Sequence, residues 1–256
     1  MAPWPCPLSE KGLKGFMEQT HKTPPKRTEL QMARSMCWHC QSEVHGEYFC
    51  VQCVKVQPVS KELDYFTCLG LPRLLNIDLE VLEAKFYELS RTFHPDFFQN
   101  KTETEQAISL GNSALLNTAY RTLKDPIRRV EYLVQLEAGA AKDIRTSPPA
   151  ELFEEILALQ EDLEEFRLAS PDQDQARMEQ LRDKLKADRD LLEQRQKDME
   201  TRLFQLFKSW DALQSQAHPE GQLRDKKEAL LKEMREILSN RTYLRNIVND
   251  LVDTIG

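Results

Sequence analysis

A chain of 256 residues in which 30% are charged, 40% hydrophobic and only 8 are glycine fits one or two domains, mostly helical. Its net charge of −7 argues against non-specific binding to a nucleic-acid backbone, and no apolar run approaches the ~18–20 residues that span a bilayer. Six cysteines, four of them in two close pairs, speak for a metal site in a reducing compartment rather than a disulfide framework.

Residues 1–36 hold Pro3, Pro5, Pro7, Pro24 and Pro25, mixed charge and no apolar periodicity, and are expected to be a mobile leader. Lys11, Lys14, Lys22, Lys26, Arg27 and Arg34 suit a mitochondrial transit peptide, but Glu10, Glu18 and Glu29 depart from the acid-poor composition of one. The acids favour a cytoplasmic location, with the mitochondrial matrix as the alternative. Cys6 is an isolated, incidental thiol.

Residues 37–57 form the next module. Cys37-Trp-His-Cys40, nine residues, then Cys50-Val-Gln-Cys53 supply four thiolates at the spacing of two metal-binding knuckles. Four soft ligands favour a tetrahedral site with zinc as occupant and a structural role. Gly46 suits the turn of a small hairpin. His39 and His45 are spare ligands. A dithiol redox pair and an iron–sulfur site are the competing readings.

Pro58 to Lys61 reads as a linker. Beyond it, Leu79, Leu82, Phe86, Leu89 and Phe93 recur at steps of three and four, one buried helix face. Pro95 stops that helix. Thr102-Glu-Thr-Glu105 is a capping box that opens another, with Ile108, Leu115, Leu116, Ala119 and Leu123 inward. His94-Pro95-Asp96 thus lies in the connection of two antiparallel helices, away from a core, where it suits a surface presented to a partner. No second acid or nucleophile accompanies it, so chemistry of its own is not expected. Asp125-Pro126 caps a last helix with Ile127, Val130, Leu133 and Leu136 on one face, ended by Gly139. Cys68 reads as a small core residue.

Residues 139–148 read as a linker, with Ser147 capping the following helix. Leu152, Ile156, Leu159, Leu163 and Phe166 make its main apolar stripe; Phe153 and Leu157, continued by Glu161 and Glu165, make a second one about 100° round the helix. The second stripe is either a docking patch or a widening of the core face. After Ser170-Pro171, Met178, Leu185, Leu192, Met199, Leu206 and Leu213 fall seven apart, with Leu181, Leu203 and Trp210 between. Asp188 and Arg195 interrupt this seam, which argues for a bundle, monomeric or weakly dimeric, over an extended zipper. An unbroken helix over 172–217 would run ~70 Å at 1.5 Å per residue. His218-Pro219 and Gly221 make a turn before a final helix carrying Leu223, Leu230, Met234, Ile237, Leu244, Val248, Leu251 and Ile255. Residues 148–256 are expected to form an antiparallel three-helix bundle.

His94-Pro95-Asp96 between two helices resembles the signature of the J domain of DnaJ-type co-chaperones, here over about 62–138. Asp64-Tyr-Phe-Thr-Cys-Leu-Gly-Leu-Pro72, Asn117-Thr-Ala-Tyr-Arg-Thr-Leu-Lys-Asp-Pro126 and Arg129-Val-Glu-Tyr-Leu133 stand at the matching places. With the tetracysteine module and the tail, the chain is similar to the iron–sulfur co-chaperone family HscB. The resemblance covers roughly 37–256 and is most specific over 64–136. It implies that His94, Pro95 and Asp96, with the basic Lys85 and Arg91 on the preceding helix, contact an Hsp70-class ATPase of the HscA type. It also implies that Phe153, Leu157, Glu161, Glu165 and Tyr243 dock an IscU-type iron–sulfur scaffold. Glu154 departs from the apolar residue often found in the family.

The expectation is therefore a mostly α protein: tetracysteine zinc module, J-domain helical hairpin, three-helix bundle. Its function would be that of a non-enzymatic co-chaperone that activates a partner ATPase and binds neither nucleic acid nor membrane. A general J-protein adaptor for another client and a thiol–disulfide redox protein are the rivals.

Overall fold

The structure, a computed structural model, describes residues 35–44, 46–60, 63–138, 153–168, 175–215 and 220–255. The expected leader up to Arg34 with Cys6, His45, Lys61, the 139–148 linker with its Ser147 cap, Leu152, Ser170-Pro171 and His218-Pro219 lie outside the described residues. The fold is mostly α, as expected. Strands β1 (Ser35–Met36) and β2 (Glu43–Val44) are followed by helices α1 (Tyr65–Cys68), α2 (Leu79–Phe93), a 3-10 turn (Pro95–Phe98), α3 (Glu103–Lys124), α4 (Pro126–Ala138), α5 (Phe153–Leu168), α6 (Gln175–Ser215) and α7 (Glu220–Ile255). Among the described residues no helix is long and apolar enough to cross a membrane.

The chain divides into two compact units. Among the described residues, one joins those up to Leu63 with His94–Asn112; the other joins Asp64–Phe93 with those from Ser113 on. In the first, β1 and β2 pair antiparallel with Ser35 opposite Val44, and a single bridge links Phe49 to Val56. Buried Cys37, Val44 and Cys50 form its small core. So little apolar area cannot hold a fold by itself, and polar contacts and ligands must supply the rest.

The second unit is built on helix faces. Asp64 caps α1 by accepting from the Thr67 N–H at 3.0 Å, and Asp78 caps α2 through the Glu80 N–H at 2.9 Å. Leu82, Leu89 and Phe93 of α2 are buried, and Phe86 stacks on Tyr120 of α3 with ring centroids 4.2 Å apart. Leu79, expected on that face, is half exposed because it opens the helix, where the stripe has no neighbouring turn. Asp125 caps α4, accepting from the Ile127 and Arg128 N–H groups at 2.8 and 3.0 Å, and Val130, Leu133 and Val134 are buried.

Ile156, Leu159, Leu163 and Phe166 of α5, Leu185 and Leu192 of α6, and Leu244, Val248, Leu251 and Ile255 of α7 make one core. The seven-residue seam of α6 thus packs a bundle, as its spacing implies. Arg195, which breaks the apolar pattern, pairs with Glu155 of α5 at 2.9 Å. Gly221 belongs to the first turn of α7, which begins at Glu220, rather than to the turn before it.

The far end of α6 grips the loop between α1 and α2. Trp210 is fully buried, and its indole N–H donates to the Arg73 carbonyl at 3.3 Å. Asp211 accepts from the Leu75 N–H at 2.7 Å, the Asn76 N–H at 2.9 Å and the Asn76 side-chain amide at 2.7 Å. Arg129 of α4 donates to the Leu75 carbonyl at 2.5 Å and the Leu123 carbonyl at 2.6 Å. Burial lowers its pKa, against the nearby charges of Asp125 and Asp211.

Candidate functional site

The Sγ atoms of Cys37, Cys40, Cys50 and Cys53 all lie within 4.8 Å of one another. Two similar turns bring them together. The Cys37 N–H donates to Ser42 O at 2.8 Å and the Gln41 N–H to Cys37 O at 3.0 Å; the Cys50 N–H donates to Lys55 O at 2.9 Å and the Val54 N–H to Cys50 O at 2.8 Å. Each turn puts the residue four after its first cysteine in the left-handed region, Gln41 at φ 58° and Val54 at φ 56°. For a β-branched valine this is a costly conformation, kept only where the surroundings dictate it.

Two sulfur pairs run across the two turns, Cys37 to Cys53 and Cys40 to Cys50, both at 3.6 Å. That is far beyond a disulfide bond and close to the ~3.8 Å edge of a tetrahedron with metal–sulfur distances of ~2.3 Å. The residues therefore fit a four-sulfur metal centre. Second contacts already point at the sulfurs: the His39 N–H and the Gln57 amide reach Cys37 Sγ at 3.4 and 3.3 Å, and Ser42 Oγ lies 3.1 Å from Cys50 Sγ. The Ser42 contact and the Cys53 backbone bring the Cys50 thiol down to about 6. Burial and the neighbouring sulfurs push Cys53 up to about 12. Four sulfurs gathered this closely are a donor set that suits a divalent cation.

His94 follows the last residue of α2 in extended conformation, φ −61°, ψ 127°, and caps the 3-10 turn with Pro95 at its start. Its Nδ1 accepts from the Asp96 N–H at 3.3 Å, and Asp96 Oδ2 lies 3.4 Å from the same nitrogen. The His94 and Asp96 side chains are 51% and 70% exposed, so the turn presents an imidazole edge and a carboxylate to solvent. Phe97 beside them is half exposed, its ring edge-on to His94 at 6.1 Å between centroids. Lys85 and Arg91 lie on exposed positions of α2, Lys85 in a 3.3 Å pair with Glu88.

On α5, Phe153 and Leu157 are 56% and 49% exposed, whereas Ile156, Leu159, Leu163 and Phe166 are buried. The second apolar stripe therefore lies outside the core. Glu161, Glu164, Glu165 and Leu168 line a shallow open depression further along the same helix. Glu165 is held by Arg177 of α6, whose Nε donates at 2.7 Å; Glu161 has no ion pair among the described residues. Tyr243 of α7 is half-buried against the bundle core.

Sequence reasoning missed three features: the left-handed residues of the two knuckles, the grip of Asp211 on the Leu75–Asn76 backbone, and a buried polar stripe on α3. Only the stripe has a sequence signal. Glu105, Ser109 and Asn112 are spaced four and three, the spacing of one helix face.

A short capped first helix, two longer helices joined through an exposed His-Pro-Asp turn, and a helical tail make up the arrangement to be compared with known proteins. No protein-family model matches the chain. It is 36% identical over 105 residues to the iron–sulfur cluster co-chaperone protein HscB of Mus musculus, covering 40% of this chain and 45% of that protein. It is 35% identical over 105 residues to the co-chaperone protein HscB of Proteus mirabilis (strain HI4320), covering 41% of this chain and 61% of that one. The chain thus spans about half the length of the relatives it matches in sequence. The crystal structure of human co-chaperone protein HscB has a similar fold, with a TM-score of 0.57 at 25% identity, covering 85% of this chain and 97% of that chain. In sequence over part of its length, and in fold over most of it, this chain is similar to HscB-type co-chaperones.

Proposed function

We propose that the protein is a co-chaperone of iron–sulfur cluster biogenesis, built as a tetracysteine module over 37–57, a J domain over 62–138 and a scaffold-binding bundle over 148–256. The exposed His94–Asp96 turn carries this reading: a self-capped loop that presents an imidazole edge and a carboxylate to solvent is suited to binding. His94, Pro95 and Asp96, with Lys85 and Arg91, engage an Hsp70-class ATPase and raise its turnover; the chain itself catalyses nothing. Phe153 and Leu157, with Glu161, Glu165 and Tyr243, hold an IscU-type scaffold. Two sites on one chain raise the effective concentration of each partner near the other. Zinc at Cys37, Cys40, Cys50 and Cys53 supplies structural closure, and the sulfur contacts running across the knuckles support this over a Cys-x-x-Cys redox pair. We place the activity in the cytoplasm, on the acids of the leader, with the mitochondrial matrix as the alternative.

The test is ATPase turnover of the cognate Hsp70-class chaperone with this protein and an IscU-type scaffold, added singly and together. Synergistic stimulation that disappears in His94→Ala and Asp96→Ala is expected. Stimulation without any scaffold effect would leave a general J-protein adaptor instead.

A further inference from the structure

The first unit contains a seam that the proposed function does not use. Glu105, Ser109 and Asn112 lie on one face of α3 yet are only 5%, 0% and 3% exposed. Buried polar side chains on a helix need partners, and Lys55, Gln57 and Val59 supply them for Glu105 and Asn112. Lys55 Nζ donates to Glu105 Oε2 at 3.0 Å. The Val59 N–H donates to Asn112 Oδ1 at 2.9 Å, and Asn112 Nδ2 donates to the Gln57 carbonyl at 3.0 Å.

Both ends of this seam lead somewhere. Towards the metal centre, the Gln57 side chain donates to Cys37 Sγ at 3.3 Å and to the Lys55 carbonyl at 2.8 Å. The same Lys55 carbonyl accepts the Cys50 N–H that closes the second knuckle. One glutamine therefore touches a ligand sulfur with its side chain and α3 with its backbone. Towards the exposed turn, Glu105 forms the capping box of α3: the Thr102 N–H donates to Glu105 Oε2 at 3.2 Å and the Glu105 N–H to Thr102 Oγ1 at 3.3 Å. Its neighbour Gln106 donates to the carbonyls of Gln99 and Lys101, both at 3.0 Å. Gln99 in turn donates to Asp96 Oδ1 at 3.3 Å. Hydrogen bonds, with one covalent step from Glu105 to Gln106, thus lead from Cys37 Sγ to the aspartate of the His-Pro-Asp turn, the kind of contiguous network that can carry coupling.

We propose that the metal-closed tetracysteine module positions the His94–Asp96 turn, with Lys55, Gln57 and Asn112 as the positioning residues that hold the start of α3. This deepens the proposed function and rests on two parts of it: that the four thiolates hold a metal, and that the turn is the chaperone contact. Metal loss releases the second knuckle, whose Val54 occupies a left-handed conformation. Lys55 then leaves Glu105, the capping box loses its third donor, and the turn is no longer held from the α3 side.

The experiment is amide hydrogen exchange on the full chain, zinc-loaded and then stripped by a chelator under reducing conditions, with metal content measured in each sample. Stripping is expected to accelerate exchange over 96–106 by about tenfold or more, while buried amides of α6 keep their rates. Lys55→Met is expected to retain its zinc and still accelerate exchange at 102–106 several-fold, and Lys55→Arg to restore protection. Unchanged exchange over 96–106 after verified metal loss overturns the proposal. So does a Lys55→Met effect confined to 50–59, and so does a chain that takes up no metal. Because the readout needs no chaperone, altered exchange in a protein that never stimulates an ATPase would overturn the role assigned to the turn and leave the coupling standing.

Discussion

The two compact units are held together by different physics. In the second, ten apolar side chains from α5, α6 and α7 share one core, and the loss of any one leaves a cavity that its neighbours fill only in part. In the first, the small core contains two of the four cysteines, and its order comes from directional contacts: knuckle turns, sulfur contacts, and amides and a lysine on a polar helix face. A fold of the second kind loses part of its stability with each truncation. One of the first kind fails when its ligand leaves.

The largest effect expected is accordingly Cys50→Ser. Four-sulfur zinc sites in small modules contribute apparent binding energies of ~10–16 kcal/mol, so loss of one ligand should abolish metal uptake and unfold residues 35–57. The bundle should keep its helical content and melting transition. Circular dichroism with metal analysis checks this. A bundle that melts together with the module would erase the contrast between the units.

Trp210→Ala should be next, and should strike the second unit. The ring is fully buried and its N–H is bonded to Arg73 O; such truncations cost ~3–5 kcal/mol, measurable as a lowered urea midpoint. Metal affinity should stay the same. Asp211→Ala leaves the Leu75 and Asn76 N–H groups short of an acceptor and should cost ~1–3 kcal/mol by the same measurement.

These cases show what can be read from the chain alone. The α6 seam was legible because apolar spacing reports the neighbour a helix will have, and the Thr102–Glu105 capping box and Asp-Pro start because they are local. Cys37, Cys40, Cys50 and Cys53 were legible because ligand spacing is local too. The grip of Asp211 was not, since its partners lie 135 and 136 residues away and an aspartate near a helix end looks solvated. Glu105 was legible as a capping-box residue, but its burial with Ser109 and Asn112 was not, for the same reason: polarity implies solvent until a polar partner arrives from another part of the chain. Tyr243 was named from resemblance alone, and its half-buried place against the core has no signal in the spacing.

Acid should act on both units through depressed carboxylates. Burial would raise Asp64 and Glu105, but hydrogen bonds from Arg73 and Thr67 to the first, and from Lys55 and Thr102 to the second, outweigh it and lower both. Each group therefore contributes stability in full above its unfolded pKa of about 4 and loses it as pH falls through the lower folded value. Asp64→Asn should flatten the acid limb of bundle-unit unfolding, and Glu105→Gln should flatten that of exchange at 102–106. The reverse pattern, with stability rising on acidification, would show that burial outweighs the pairs.

The smallest effect on stability should come from Phe153→Ala with Leu157→Ala, and there the contrast between core and surface is sharpest. Both side chains are about half exposed on a helix whose other apolar stripe is already fully used. If they only widened the core face, the double variant would lower the urea midpoint as a core truncation does, and scaffold binding would be a bystander. If they form a docking patch, truncation should leave stability within ~0.5 kcal/mol, as surface substitutions do. Affinity for an IscU-type scaffold should then fall by tenfold or more, about 1.4 kcal/mol. Glu165→Gln makes the control: its carboxylate is engaged by Arg177, so its loss should affect packing of α5 on α6 slightly and scaffold affinity less than the apolar pair does. Calorimetric titration of the scaffold alongside denaturant unfolding measures both quantities on the same variants.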